Sequence, residues 1–253
     1  MRKIIYAACM ASVLLSCEKL HDLCPPTTHQ TPAGALDFDG QDDEVNLGDW
    51  FQYQVFTIQF WAKPGATQNT WTDIMDHEHG DTAGWVIEQN VDNTNEYYMA
   101  GGTIILFKLL ANEWQQVSCV YDKKTLSVYI NGELIERKAL EKPIYYEGSH
   151  ILRLGNWASG GRAWNGQLDE VRFWNRALLQ TEIQNNMNCQ LTGSENGLVA
   201  YYRFNQGYID ADNTSVTSLT DLSGNKHTGT LTNFALTGSR SNWVAGKVTG
   251  TCY

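Results

Sequence analysis

The chain has 253 residues, of which 42% are hydrophobic, 11% aromatic and 18% charged, and its net charge is -10. That composition belongs to a globular chain able to bury a core and excludes a disordered or fibrous one. The acidic balance lacks the basic footprint that phosphate recognition needs, so it excludes nucleic acid and anionic membrane surfaces as partners and suits a cation ligand.

Arg2 and Lys3 followed by the apolar stretch Ile4–Leu15 form a leader too short to span a bilayer as a permanent helix. It ends in Leu14-Leu15-Ser16-Cys17, which resembles the lipobox of bacterial lipoproteins; the resemblance implies removal of residues 1–17 up to a lipidated Cys17. Loss of the two leader cations moves the net charge to about -12. Residues 18–33, with Pro25, Pro26 and Pro32 and no apolar period, read as a tether, and residues 34–253 as one domain. In this exported setting Cys24, Cys119, Cys189 and Cys252 allow three disulfide connectivities. Cys189–Cys252 and Cys24–Cys252 would each pin the C-terminus, whereas Cys119 sits in an alternating apolar run and reads as a buried thiol.

From Ala35 onward, short β-branched and aromatic runs recur between turn residues, the pattern of a sandwich or barrel. Phe56–Ala62, Gln116–Tyr121 and Leu126–Ile130 alternate apolar and polar positions as half-buried strands do. Asn131-Gly132 then marks a hairpin into Glu133–Arg137, because a type I′ turn needs two positive φ angles. Ile151–Leu154, Gln167–Trp174 and Leu198–Phe204 continue the strands. Arg176–Met187 is expected to be a short surface helix with Leu179, Ile183 and Met187 on one face. The segments 197–204 and 229–234 are too few to enclose a second core, and are expected to complete the same sandwich beside Ala35–Phe38.

Four segments in order resemble the laminin-G-like jelly-roll family: Ala35–Gly40, Phe56–Ala62, Trp114–Gly132 and Gly166–Leu178. The resemblance implies an all-β, two-sheet antiparallel jelly-roll sandwich of the concanavalin A-like lectin/glucanase kind, with a structural calcium ion in many members. It carries Asp39, the Gly40 carbonyl and Asp169 over as calcium ligands, hard oxygens of the type calcium takes. Glu170 is expected on the opposite face, paired with Arg172.

Fold does not fix function, so the remaining constellations decide. Asp73-Ile74-Met75-Asp76-His77-Glu78-His79 superficially resembles the acidic strand of laminarinase-type glucanases. Strict alternation, however, puts Ile74, Asp76 and Glu78 on one face and Asp73, Met75 and His77 on the other, so the catalytic set is broken unless a bulge shifts it. His77 and His79 without a third ligand read as a solvated loop rather than a transition-metal site. Trp61, Trp114 and Trp174 read as core. Trp71, Trp85, Tyr97, Asn156, Trp157, Arg162 and Trp164, beside polar loop residues, are the candidate ligand-binding set, since flat rings stack on sugars or cap a partner's apolar patch. The expectation is a non-catalytic cell-surface binding module for carbohydrate or a surface protein. It would be monomeric, attached to the bacterial envelope by its lipid alone and stiffened by calcium. A divergent glycoside hydrolase and an envelope adhesion protein are the alternatives.

Overall fold

The computed structural model describes residues 30–79, 83–90 and 95–252. The leader, Cys17, Cys24 and nearly all of the tether lie outside the described residues, and the compact unit begins at Pro32.

Alternating apolar positions produce sixteen strands and one helix among the described residues, arranged in two antiparallel sheets. The first sheet is built on β1 (Ala35–Asp39), β3 (Phe56–Pro64), β8 (Gln115–Tyr121), β9 (Thr125–Ile130), β10 (Glu133–Ala139), β12 (Asn165–Trp174), β13 (Leu198–Tyr202) and β16 (Trp243–Val244). Its order is β10-β9-β8-β3-β12-β1-β16, with β13 continuing the β1 side of β12. The second sheet runs β14-β15-β2-β11-β4-β5-β6-β7. Those strands are β2 (Glu44–Gly48), β4 (Asp73–His79), β5 (Ala83–Gln89), β6 (Glu96–Ala100), β7 (Ile104–Lys108), β11 (Leu152–Leu154), β14 (Ser218–Leu219) and β15 (Gly229–Thr232). Their facing apolar sides form one core from Leu36 and Phe38 through Phe60, Trp85, Tyr97, Val117 and Phe173 to Trp243. The hairpin at Asn131-Gly132 has φ of 51° and 78°, as a primed turn requires. The C-terminal strands enter both sheets: β16 pairs with β1, β13 with β12 and β15 with β2.

β3 and β8 are not half-buried, as their alternation predicts, but covered on both faces, apart from the half-buried Lys63 near the end of β3. The outer side of the first sheet carries a second apolar cluster of Val120, Tyr129, Trp174, Leu178, Ile183, Leu191, Leu198 and Tyr201. Helix α1 (Gln180–Asn186) belongs to this cover. It starts four residues later than its sequence period suggests, because the side chain of Thr57 donates to the Arg176 carbonyl and accepts from Leu178 N–H, holding that stretch extended. Leu179 therefore stands outside the helix and is exposed, while Ile183 alone of the predicted face is fully buried. A disulfide joins Cys189 to Cys252, and Cys119 is a buried free thiol.

Candidate functional site

The outer face of the second sheet is open only in part, at two cavities, and what it presents there is decided by one bulge. In β4 the pairing passes from Asp73 opposite Glu88 to Met75 opposite Ile87, so Ile74 is the extra residue. Ile74 and Met75 both enter the core, as does His77, and Asp73 is brought to the same outer face as Asp76 and Glu78. The expectation that Asp73 shares a face with Met75 and His77 is thus corrected. His77 is likewise no solvated loop residue: it packs against Phe51, Trp85, Tyr146 and His150, and burial lowers its pKa to about 3.

A cavity of about 300 Å3 opens on this face, lined by Trp71, Glu78, Glu88, Tyr98 and Arg162. A second cavity of about 380 Å3, over Gly84, Ala100 and Gly102, shares Glu78 with it. The Arg162 guanidinium donates to Glu88 Oε2 at 2.7 Å and lies 4.4 Å above the ring of Trp157. Asn156 places that pair: it is buried, and its side-chain oxygen accepts the N–H groups of Trp157 and Arg162. Trp71, at a positive φ of 60°, is 42% exposed at the rim. Asp76 is held by the N–H groups of Glu78 and Ala158, with Arg153 at 3.8 Å bridging on to Glu44. Beneath the cavity floor, neither oxygen of Asp73 nor Oε1 of Glu88 meets an N–H or O–H donor among the described residues. Burial first, and then the charge of Glu88 beside it, push the Asp73 carboxyl far up, so that it keeps a proton it can share with Glu88.

Of the predicted ligand-binding set, Trp71, Trp157 and Arg162 meet at this groove with Asn156 supporting them. Trp85, Tyr97 and Trp164 do not: all three are fully buried. Strand alternation turns Trp85 and Tyr97 inward, and Trp164, just before β12, packs in the same core and donates to the Tyr97 hydroxyl, which donates to Asn95. The sequence reading missed Glu88 and Tyr98. Their signal lay in Trp85 and Ile87, whose inward direction leaves Glu88 facing out, with Tyr98 as its cross-strand partner.

The predicted calcium ligands do not converge. Asp39 pairs with Asn165, four residues along β12 from Asp169 and hence about 13 Å away. Asp169 instead accepts the N–H groups of Lys247 and Val248, and burial raises its pKa to about 8. Glu170 pairs with Arg172 as expected, but not on the opposite face: Leu168 and Val171 both enter the core and the register shifts between Asp169 and Arg172, so Asp169 and Glu170 stand on the same outer side. Asp39 has other acidic company: single carboxylate oxygens of Asp39, Asp42 and Asp43 lie within 4.8 Å of one another. Three hard oxygens suit calcium. Burial, opposed by hydrogen bonds from Ser241 and the Asp39 N–H, raises Asp43 to about 7, with the charges of Asp39 and Asp42 adding to the rise. The Gly40 carbonyl already accepts the Asn69 amide.

Among solved structures, the chain is similar to a Bacteroides ovatus protein provisionally assigned as carbohydrate binding, with 19% identity and a TM-score of 0.65, covering 80% of this chain and 59% of that one. It therefore spans about three fifths of that protein's length. A heptameric SAP-like pentraxin from Limulus polyphemus matches over 60% of this chain and 80% of its own, with 14% identity and a TM-score of 0.49. Domain 4 of an extracellular arabinanase from Geobacillus stearothermophilus, solved with arabinotriose, matches over 60% and 75%, with 20% identity and a TM-score of 0.48. The laminin G-type family pattern matches residues 39–184, more than half of the chain, and with the two-sheet sandwich it shows that this protein belongs to the concanavalin A-like lectin/glucanases superfamily.

Proposed function

We propose that this protein is a non-catalytic carbohydrate-binding module, with the open face of the second sheet as its site. The observation that carries this reading is the groove itself: Trp71 and Tyr98 line it, Trp157 backs its arginine, and Glu78, Glu88 and Arg162 offer polar groups between them. Rings supply stacking faces for a sugar, and fixed polar groups orient its hydroxyls. The assignment of the Bacteroides ovatus protein to carbohydrate binding agrees with it. A glycan array is the test: retention of a glycan by the wild type and its loss in a folded Trp157→Ala variant support the reading, and retention of no glycan would return the groove to a protein ligand of the envelope.

One observation favours a second reading, glycoside hydrolysis. The bulge gathers Asp73, Asp76 and Glu78 on one face, and a carboxyl that keeps its proton is what a general acid needs. Against it, Asp76 is tied by two backbone N–H groups, and Glu88 by Arg162. Release of reducing ends from a β-glucan, abolished in Asp73→Asn and Glu78→Gln, would establish hydrolysis.

Two further parts of the reading rest on the sequence and the donor set. Calcium would be held by Asp39, Asp42 and Asp43, where it would supply positive charge that neutralises the three carboxylates and ties β1 to the turn before β2. Heat uptake on calcium titration and a chelator-sensitive melting temperature test this. A lipid on Cys17 would attach the module to the bacterial envelope, tested by acyl labelling of the wild type against Cys17→Ala.

A further inference from the structure

The charges in the groove are unequal, and the imbalance bears on which glycans it can hold. From β4 come Asp73, Asp76 and Glu78, from β5 Glu88, from β2 Glu44 through Arg153, and from β6 the Tyr98 hydroxyl. Two arginines answer them here, and Lys138 and Lys142, with Glu141, line the adjoining cavity that shares Glu78. Arg153, on β11, is engaged by Glu44 and Asp76, and Arg162, on the loop before β12, by Glu88. Glu88 is 2% exposed while Arg162 lines the cavity, so the guanidinium is neutralised from one side and is accessible from the cavity on the other. An arginine on an aromatic face is elsewhere a strong receiver of carboxylates. Here its counter-charge is built in.

We propose that Glu88 is the specificity determinant of this groove, reserving Arg162 for hydroxyl oxygens and so selecting neutral glycans over uronate, sialate or sulfate-bearing ones. The proposal rests on the reading of the groove as a glycan site. Burial, and then the charge of Glu88, push the Asp73 carboxyl toward its neutral form, so Glu88 is the carboxylate set against Arg162. Removing the carboxylate while keeping its shape would then leave Arg162 uncompensated over Trp157, open to an anionic sugar.

The experiment compares neutral and uronate-containing oligosaccharides of matched length on wild type and Glu88→Gln at low ionic strength. Expected is a neutral preference of about tenfold or more in the wild type, and its collapse or inversion in Glu88→Gln through gained binding of the acidic ligand. A wild type that binds acidic glycans as well as neutral ones overturns this proposal and leaves the glycan site standing, as does a Glu88→Gln variant with unchanged preference. Absence of binding to any glycan overturns both. Should Glu88→Gln fail to fold, Arg162→Gln carries the test: it leaves Glu88 unopposed, and must widen the preference; a narrowed one refutes the role of Glu88.

Discussion

The two sheets each carry a buried carboxylate beside an arginine on the outer face, yet they use the pair differently. On the first sheet Arg172 is 2% exposed and donates to Glu170, to the Asn186 carbonyl and to the Cys189 carbonyl, while the Tyr201 hydroxyl donates to the same Glu170 oxygen. Helix α1 and the strap ending at Cys252 cover it. On the second sheet Arg162 is anchored at one end by Glu88 and backed by Trp157, and its other side lines an open cavity. A guanidinium whose donors are spent on the chain's own carbonyls fastens structure together. One held from a single side keeps donors for a ligand.

Substitutions on the two faces should therefore separate stability from binding. The largest effect belongs to the covered face. Arg172→Ala strips the counter-charge from buried Glu170 and should cost about 3–5 kcal/mol in chemical denaturation; a loss below about 1 kcal/mol would mean that the covered pair is no more structural than the open one. Next comes the Cys189–Cys252 bridge, which closes a span of 63 residues. Its replacement by serines should cost about 2–4 kcal/mol and increase proteolysis near the C-terminus, with glycan affinity changed little.

On the open face the order reverses. Trp157→Ala should lower glycan affinity by about tenfold, as loss of a stacked anchor does, while stability moves by no more than about 1 kcal/mol. Equal losses in both would show that the ring is a core element.

The comparison sharpens further with pH. Asp169, under the strap of the first sheet, has a folded pKa of about 8 against an ordinary 3.8. The folded state then binds more protons than the unfolded one between these values, so the stability it contributes is fully present below about pH 4 and is lost as pH rises toward about 8. Asp169→Asn should flatten the fall of melting temperature between pH 5 and pH 8. An unchanged slope would assign it to other groups. The smallest effect is expected at Asp73→Asn, which replaces one neutral group by another: a stability change within about 0.5 kcal/mol at pH 7, measured by urea denaturation. A fall of several kcal/mol would show that Asp73 is ionised beside Glu88.

How legible these faces were in the sequence differs residue by residue. The strands at 56–62, 116–121 and 126–130 and the turn at Asn131-Gly132 announce themselves by alternation and by a local demand for positive φ. Trp157, Arg162 and Asn156 could be picked out because polar turn residues surround them. Trp85, Tyr97 and Trp164 carried the same surroundings and went inside, since a ring's neighbours in the chain do not show which side of the sheet it occupies. Glu88 escaped notice as a single polar residue in an apolar strand, recognisable only once its cross-strand partners Asp73 and Tyr98 are known.

By itself the sequence determined an all-β sandwich or barrel, most strand positions and the aromatic stock from which a groove could be made, because these depend on period, composition and turn chemistry within a few residues; the two-sheet form came with the family resemblance. Tertiary structure alone decided the bulge at Ile74 that turns Asp73 outward, the separation of Asp39 from Asp169, the late start of α1 set by Thr57, and the choice of Cys189 as the partner of Cys252. Each of these depends on the register between segments distant in the chain, and a shift of one residue in that register exchanges inside for outside.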